Sequence, residues 1–227
     1  MGKSERRRGA LSSGRLTPNV RVALVGVCAF LVIALMVQFR LLSGLDDAVV
    51  QARKGAAVPI LDGWSWLAAI LISIELSMLY ASAGALALRR AGMGRWSLAP
   101  FGFLLTAPLE IAMKLTLRQP VVPLQFRRSG GVYPFFSVEL GGSFPSGHAL
   151  RAGFLCLFLA ILLWERGGTI NRSASVALVV LALMLGFARV YMGHHWMTDV
   201  VAGLLLGGSL ALLLAPPVAR RLKVRPL

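Results

Sequence analysis

Six stretches of this chain are too apolar to be left in water: Ala23–Val37, Gly63–Leu88, Trp96–Met113, Ala149–Trp164, Ala174–Ala188 and Val200–Val218. Crossing the hydrocarbon core of a bilayer takes roughly 20 helical residues. Three of the runs are nearer 15 residues, long enough only if their polar ends project into one aqueous face. Residues of the apolar set make up 57% of the chain and charged residues 15%, where a soluble domain carries about 25% charge. A soluble globule of this size could not bury so much apolar surface, and a disordered chain would not contain it. The two cysteines, Cys28 and Cys156, each sit inside an apolar run, which excludes a disulfide scaffold. The expected fold is therefore all-α and polytopic: a basic tail over residues 1–21, a six-helix membrane domain over 22–218 and a basic tail over 219–227. Arg6, Arg7 and Arg8 would suit the basic region of a secretory signal, but Gln38-Phe39-Arg40-Leu41-Leu42 offers no small-residue cleavage site. The first run is read as a retained helix.

Charge sets the orientation and suggests a ligand. There are 24 Lys and Arg against 9 Asp and Glu, a formal net charge of +15. Such an excess points to nucleic acid, an anionic membrane or an anionic substrate. Nucleic acid is excluded by the scatter of the basic residues between apolar runs. With six spans, fifteen basic residues fall on the side shared by both termini and nine on the other. The positive-inside rule then puts both termini in the cytoplasm, with the protein in the cytoplasmic membrane. Lys114, Arg118, Arg127, Arg128, Arg151 and Arg189 crowd together on the minority side, where an anionic ligand would account for them.

All three histidines lie on that same outer side. His148 closes Gly142-Ser143-Phe144-Pro145-Ser146-Gly147-His148, directly before the fourth helix, and His194 and His195 bridge the fifth and sixth. His195 and Asp199 are four apart and share a helix face. A carboxylate there fixes the imidazole tautomer and leaves the other nitrogen as a nucleophile. His148 supplies a second acid or base. Lys114 and Arg189 supply fixed positive charge, while Ser146 and the Gly147 amide can donate to oxyanions at a helix N-terminus. These are the parts for phosphoryl transfer through a phosphohistidine.

Pro145-Ser146-Gly147-His148 resembles the second signature of the type-2 phosphatidic acid phosphatase superfamily, and Arg189, five residues, His195, three residues and Asp199 resembles its third. Ala188 replaces the serine that usually opens the third signature. The resemblance implies that His195 attacks phosphorus, that Asp199 orients it, and that His148 protonates the leaving alcohol. It also implies that Ser146, Gly147 and Arg189 hold phosphate oxygens, with no metal or other cofactor. The first signature, Lys, six residues, Arg-Pro, is only half present: Lys114 stands, but Val121-Val122 occupies the Arg-Pro position. Arg118, Arg127 or Arg128 is left to supply the guanidinium, with Arg127 or Arg128 favoured because Pro120–Pro123 can turn the chain back towards the site.

Plainer roles are assigned to the remaining polar residues. His194 is a neighbour without chemistry. Glu110, four before Lys114, forms a helical ion pair, whereas Glu75 has no partner visible in the sequence. Asp46 and Asp47 cap a helix, and Arg151 either extends the phosphate pocket or snorkels to the interface. The five tryptophans mostly mark an interfacial belt. A metal site built on the histidines and the carboxylate is disfavoured by the surrounding cations. The expected activity is metal-independent hydrolysis of a lipid phosphate or pyrophosphate at the extracytoplasmic ends of helices three to six. Candidate substrates, from the resemblance, are undecaprenyl pyrophosphate, phosphatidic acid and phosphatidylglycerol phosphate. Two other readings use the same pocket: a lipid phosphotransferase, and a non-enzymatic transporter or binder of an anionic lipid. Beyond the lipid and the bilayer no partner is expected, and the sequence does not give the oligomeric state.

Overall fold

The computed structural model describes residues 16–53, 58–128 and 141–224. The basic run Arg6–Arg8, Lys54 and Arg225 lie outside these residues. The described chain contains helices α1 (Pro18–Gln38), α2 (Ser43–Ala52), α3 (Pro59–Leu71), α4 (Ile74–Arg90), α5 (Ala107–Thr116), α6 (Gly147–Arg166), α7 (Thr169–Tyr191) and α8 (Met197–Val224). A 3₁₀ segment, Gly94–Thr106, runs directly into α5. Five elements are each long and apolar enough to cross a bilayer, and α3 with α4, bent by 56°, makes a sixth. The chain is thus an all-α, multi-pass membrane protein, and every apolar run of the sequence falls within one of these spans.

Three local departures from six plain helices have physical causes. The second span breaks at Ile72–Ser73 because Ser73 caps α4, its Oγ accepting the Leu76 N–H at 3.3 Å. Glu75 in the first turn of α4 favours the same helix start. The carbonyl of Ile72 is met by Arg151, whose Nε donates to it at 3.2 Å from α6. The third span opens as a 3₁₀ segment around Pro100, which has no N–H to give an α-helical ladder. An extra helix, α2, follows the first span, and α8 continues to Val224, past the Val218 limit read from the sequence.

The centre of the bundle is the pair α6 and α8, which run parallel, with α7 returning between them in the chain and α1 against α8. Gly203 and Gly207 of α8 form a Gly-x-x-x-Gly seam against α6. A Cβ on Gly207 would collide with the Leu150 carbonyl, one on Gly203 with that of Ser146, and one on Gly153 of α6 would lie 2.8 Å from the Leu204 carbonyl. Helices in lipid gain their association from such close packing, since no hydrophobic drive separates them from the tails. Phe144, Leu150, Phe154, Phe158 and Leu206 fill the core around this seam.

Gly207→Leu should cost about 1–3 kcal/mol by overpacking, read as a lower unfolding midpoint in detergent. Gly44→Ala, where an added Cβ meets nothing within 4 Å, should leave that midpoint unchanged or raise it.

Candidate active site

The site is assembled where α6 and α8 begin. Both amino ends lie at the same end of the bundle, tied by a main-chain bond from the Ser146 N–H to the Asp199 carbonyl at 3.0 Å. Ser146 caps α6, its Oγ accepting from the Ala149 N–H at 3.4 Å, so Gly147 and His148 form the first turn. On the other side, α7 ends in a tight return. Gly193 takes φ 70°, and the amides of His194 and His195 both point back to the Arg189 carbonyl, at 3.1 and 3.4 Å. The return carries His195 to the start of α8 beside Arg189, which is 8% exposed.

His195 Nδ1 lies 3.3 Å from Asp199 Oδ2, and that oxygen also accepts the Trp196 N–H at 3.0 Å. Asp199 is fully buried and holds Nδ1, which leaves Nε2 as the other ring nitrogen. Burial, reinforced by the charges of Arg189 and Lys114, holds the His195 imidazolium well below its ordinary pKa; Glu110 and the Ser143 carbonyl oppose this only in part. This direction favours the neutral ring, the form a nucleophile requires. Burial beside Arg189 likewise brings His194 down to about 3. His148 Nε2 is buried without a hydrogen-bond partner among the described residues, and the charged groups around it are Arg189, Arg151, His195 and Lys114.

Lys114 enters from the last turn of α5, and Gly142 packs directly on its backbone. The Gln119–Pro120 segment then stitches the three motifs together. Ser143 donates its amide to the Gln119 carbonyl (3.2 Å) and its hydroxyl to that of Pro120 (3.0 Å), which also accepts from Trp196 Nε1 at 2.6 Å. Trp196 therefore packs in the interior rather than in an interfacial belt. The expected Glu110–Lys114 pair is present at 2.7 Å. The arginines considered for the first signature differ in their surroundings, and Arg127 bears electrostatically on His194. Arg118 is exposed. The Nε of Arg127 donates to the Val122 carbonyl at 3.0 Å, and Arg128 binds Asp62 at 3.3 Å while covering the Tyr191 ring at 4.3 Å. Two guanidinium groups bear on His148, that of Arg189 and then that of Arg151, which has Glu110 and Glu75 as its acidic neighbours.

A residue the motifs do not reveal is Asp46. It stands in α2, 2% exposed, and accepts the Thr198 N–H at 3.1 Å, the Thr198 hydroxyl at 2.6 Å and Gln119 Nε2 at 3.2 Å. It does cap a helix, but the helix is α8, 152 positions away. Burial raises its pKa above the ordinary value, opposed by the bonds from Thr198 and Gln119. Its only trace in the sequence is an acidic residue between two apolar runs, which carries no hint of its partner.

A family model described as the PAP2 superfamily matches residues 76–222. The chain is 37% identical over 87 residues to a lipid A 1-phosphatase of Rhizobium etli, covering 38% of this chain and 34% of that protein. It is 32% identical over 117 residues to an undecaprenyl-diphosphatase of Sulfolobus acidocaldarius, covering 49% of this chain and 52% of that one. The chain thus spans between a third and about half of these relatives. A crystal structure of a transmembrane PAP2 type phosphatidylglycerolphosphate phosphatase from Bacillus subtilis superposes with a TM-score of 0.70 over 85% of this chain and 93% of that one, at 20% identity, a likeness of fold.

Asp46→Ala should remove about 1–2 kcal/mol through the lost cap and loosen the start of α8. Asp46→Asn, which keeps the shape and one acceptor, should fall between the two. Thermal midpoints of the two variants and the wild type, measured side by side, check both effects.

Proposed function

The chain belongs to the PAP2 superfamily, and on that premise we propose that it hydrolyses a lipid phosphate monoester or diphosphate through a phosphohistidine. The observation that carries this reading is the His195–Asp199 pair, held beside the amino end of α6 where His148 stands. In the first step His195 Nε2 attacks phosphorus and the bond to the leaving oxygen breaks. His148 gives that oxygen a proton, so a lipid alcohol departs from a monoester and a lipid monophosphate from a diphosphate. In the second step His148 takes a proton from water, which attacks the phosphohistidine, and inorganic phosphate leaves with His195 restored. Lys114, Arg189, Ser146 and the Gly147 amide hold the equatorial oxygens as charge builds on them.

The lipid is proposed as undecaprenyl pyrophosphate ahead of phosphatidic acid and phosphatidylglycerol phosphate. Relatives named for undecaprenyl and lipid A substrates support a membrane amphiphile as the substrate class. The site is proposed to face the extracytoplasmic side, with both termini cytoplasmic. Supporting this, Arg89, Arg90, Arg95, Arg166, Arg172, Arg220, Arg221 and Lys223 lie on helix ends away from the histidines, the basic excess expected of a cytoplasmic face. An outward site would meet the spent carrier where it is recycled.

The decisive experiment incubates purified protein in EDTA with each of the three lipids and measures released phosphate. Release from one lipid is expected, abolished in His195→Ala and reduced roughly 10²- to 10⁴-fold in His148→Ala. Phosphate moved to a second lipid instead of water would mark a phosphotransferase, and lipid binding without turnover would mark a binder. Because the His195 pKa lies below its ordinary value, lowering the pH from about 8 to about 6.5 should not protonate the nucleophile. Rapid-quench measurement of phosphoenzyme formation should therefore show no acidic fall in that window.

A further inference from the structure

The carboxylate of Glu110 stands against two of the groups assigned to the phosphate, Lys114 and Gly147. Its Oε1 is 2.7 Å from Lys114 Nζ, with the two side chains 18% and 16% exposed. A methyl group built on Gly147 would strike the same carboxylate, with Oε2 at 2.8 Å and Cδ at 2.9 Å. Glu110 thus lies over the first residue of α6, where the open amides and positive helix end attract an anion. Lys114 and the Gly147 turn are also the groups assigned above to phosphate oxygens. Carboxylate and phosphate oxygens cannot share that space, since two anions at contact distance repel strongly in a site screened from water.

We propose that Glu110 is the resident anion of the phosphate cradle, held by Lys114 and the amino end of α6 when the site is empty and displaced by the phosphoryl group of the substrate. This rests on the phosphate site proposed above. The exchange discriminates between ligands. A lipid substrate has its tail to help it displace the carboxylate, whereas inorganic phosphate, the last product, has only the cradle. Glu110 then acts as a specificity residue that returns to Lys114 as phosphate leaves and keeps the product from accumulating on the enzyme.

The test compares the wild type with Glu110→Gln, using inorganic phosphate and orthovanadate as probes, by calorimetric titration and as inhibitors of lipid turnover. The expected result is tighter binding of both probes by about tenfold or more, the scale of a lost charge-assisted contact. KM should fall, and kcat should fall with it as phosphate release slows. Unchanged or weaker binding in the variant overturns the proposal, because a Glu110 that merely steadies Lys114 would help the phosphate bind. Glu110→Met, of similar length and without charge, supplies the same comparison if the glutamine variant does not fold. Lys114→Ala should weaken both probes. Binding is read without turnover, so an inactive wild type that still binds phosphate would count against hydrolysis while leaving the exchange measurable.

Discussion

Everything in the site depends on two parallel helices beginning side by side. Aligned peptide dipoles repel when their positive ends are brought together, and here those ends are joined by one main-chain bond, from the Ser146 amide to the Asp199 carbonyl. The repulsion is outweighed further down, where Gly153, Gly203 and Gly207 let the backbones of α6 and α8 touch. The result is a patch at the amino end of α6, flanked by His148 on that helix and His195 on the loop leading into the other. Such a patch is preorganised for an oxyanion before any ligand arrives, which is how fixed dipoles lower a barrier without reorganising. Arg189 and Lys114 extend the patch, and the return at Gly193 delivers one of them together with His195.

Negative charge is distributed with equal economy. Asp199 and Asp46 both work at the start of α8, one on the imidazole and the other on the Thr198 amide and hydroxyl. Two carboxylates so close would destabilise each other if both were bare. Donors meet each of them: the Trp196 amide on Oδ2 of Asp199, and Thr198 with Gln119 on Asp46. Glu110 and Glu75 also bear on Arg151, whose Nε satisfies the carbonyl exposed by the break between α3 and α4. Ionisable groups within membrane spans persist only when they are paired or bonded. The broken span and the charged cluster therefore support one another.

The parts that were legible from sequence are those encoded locally. Apolar length marked the six spans, the Pro-Ser-Gly-His string marked His148, and a four-residue interval marked His195 and Asp199, because a helix turns it into a shared face. Illegible parts depend on where distant segments meet. The break at Ser73 looks like one serine in a long apolar run, and its cap is visible only once the turn is formed. Asp46 reads as local capping until α2 is placed against α8. Arg127 and Arg128 looked able to complete the first signature, yet their bonds to Val122, Asp62 and Tyr191 reflect a loop path that spacing does not specify. Arg151, by contrast, was within one turn of His148 all along, and its inward direction is set by a carbonyl contributed by another span.

The glycine seam also makes α8 a lever. Gly207 is ten residues from Met197, about 15 Å along a helix at 1.5 Å per residue. A tilt of only about 4° at the seam would carry the end bearing Asp199 sideways by about 1 Å, a displacement of the size that can cost a catalyst about two orders of magnitude. Contacts buried among lipid tails, far from any phosphate, thereby set the aim of the imidazole. The position of the helix start is thus a property of the glycine seam as much as of the residues around it.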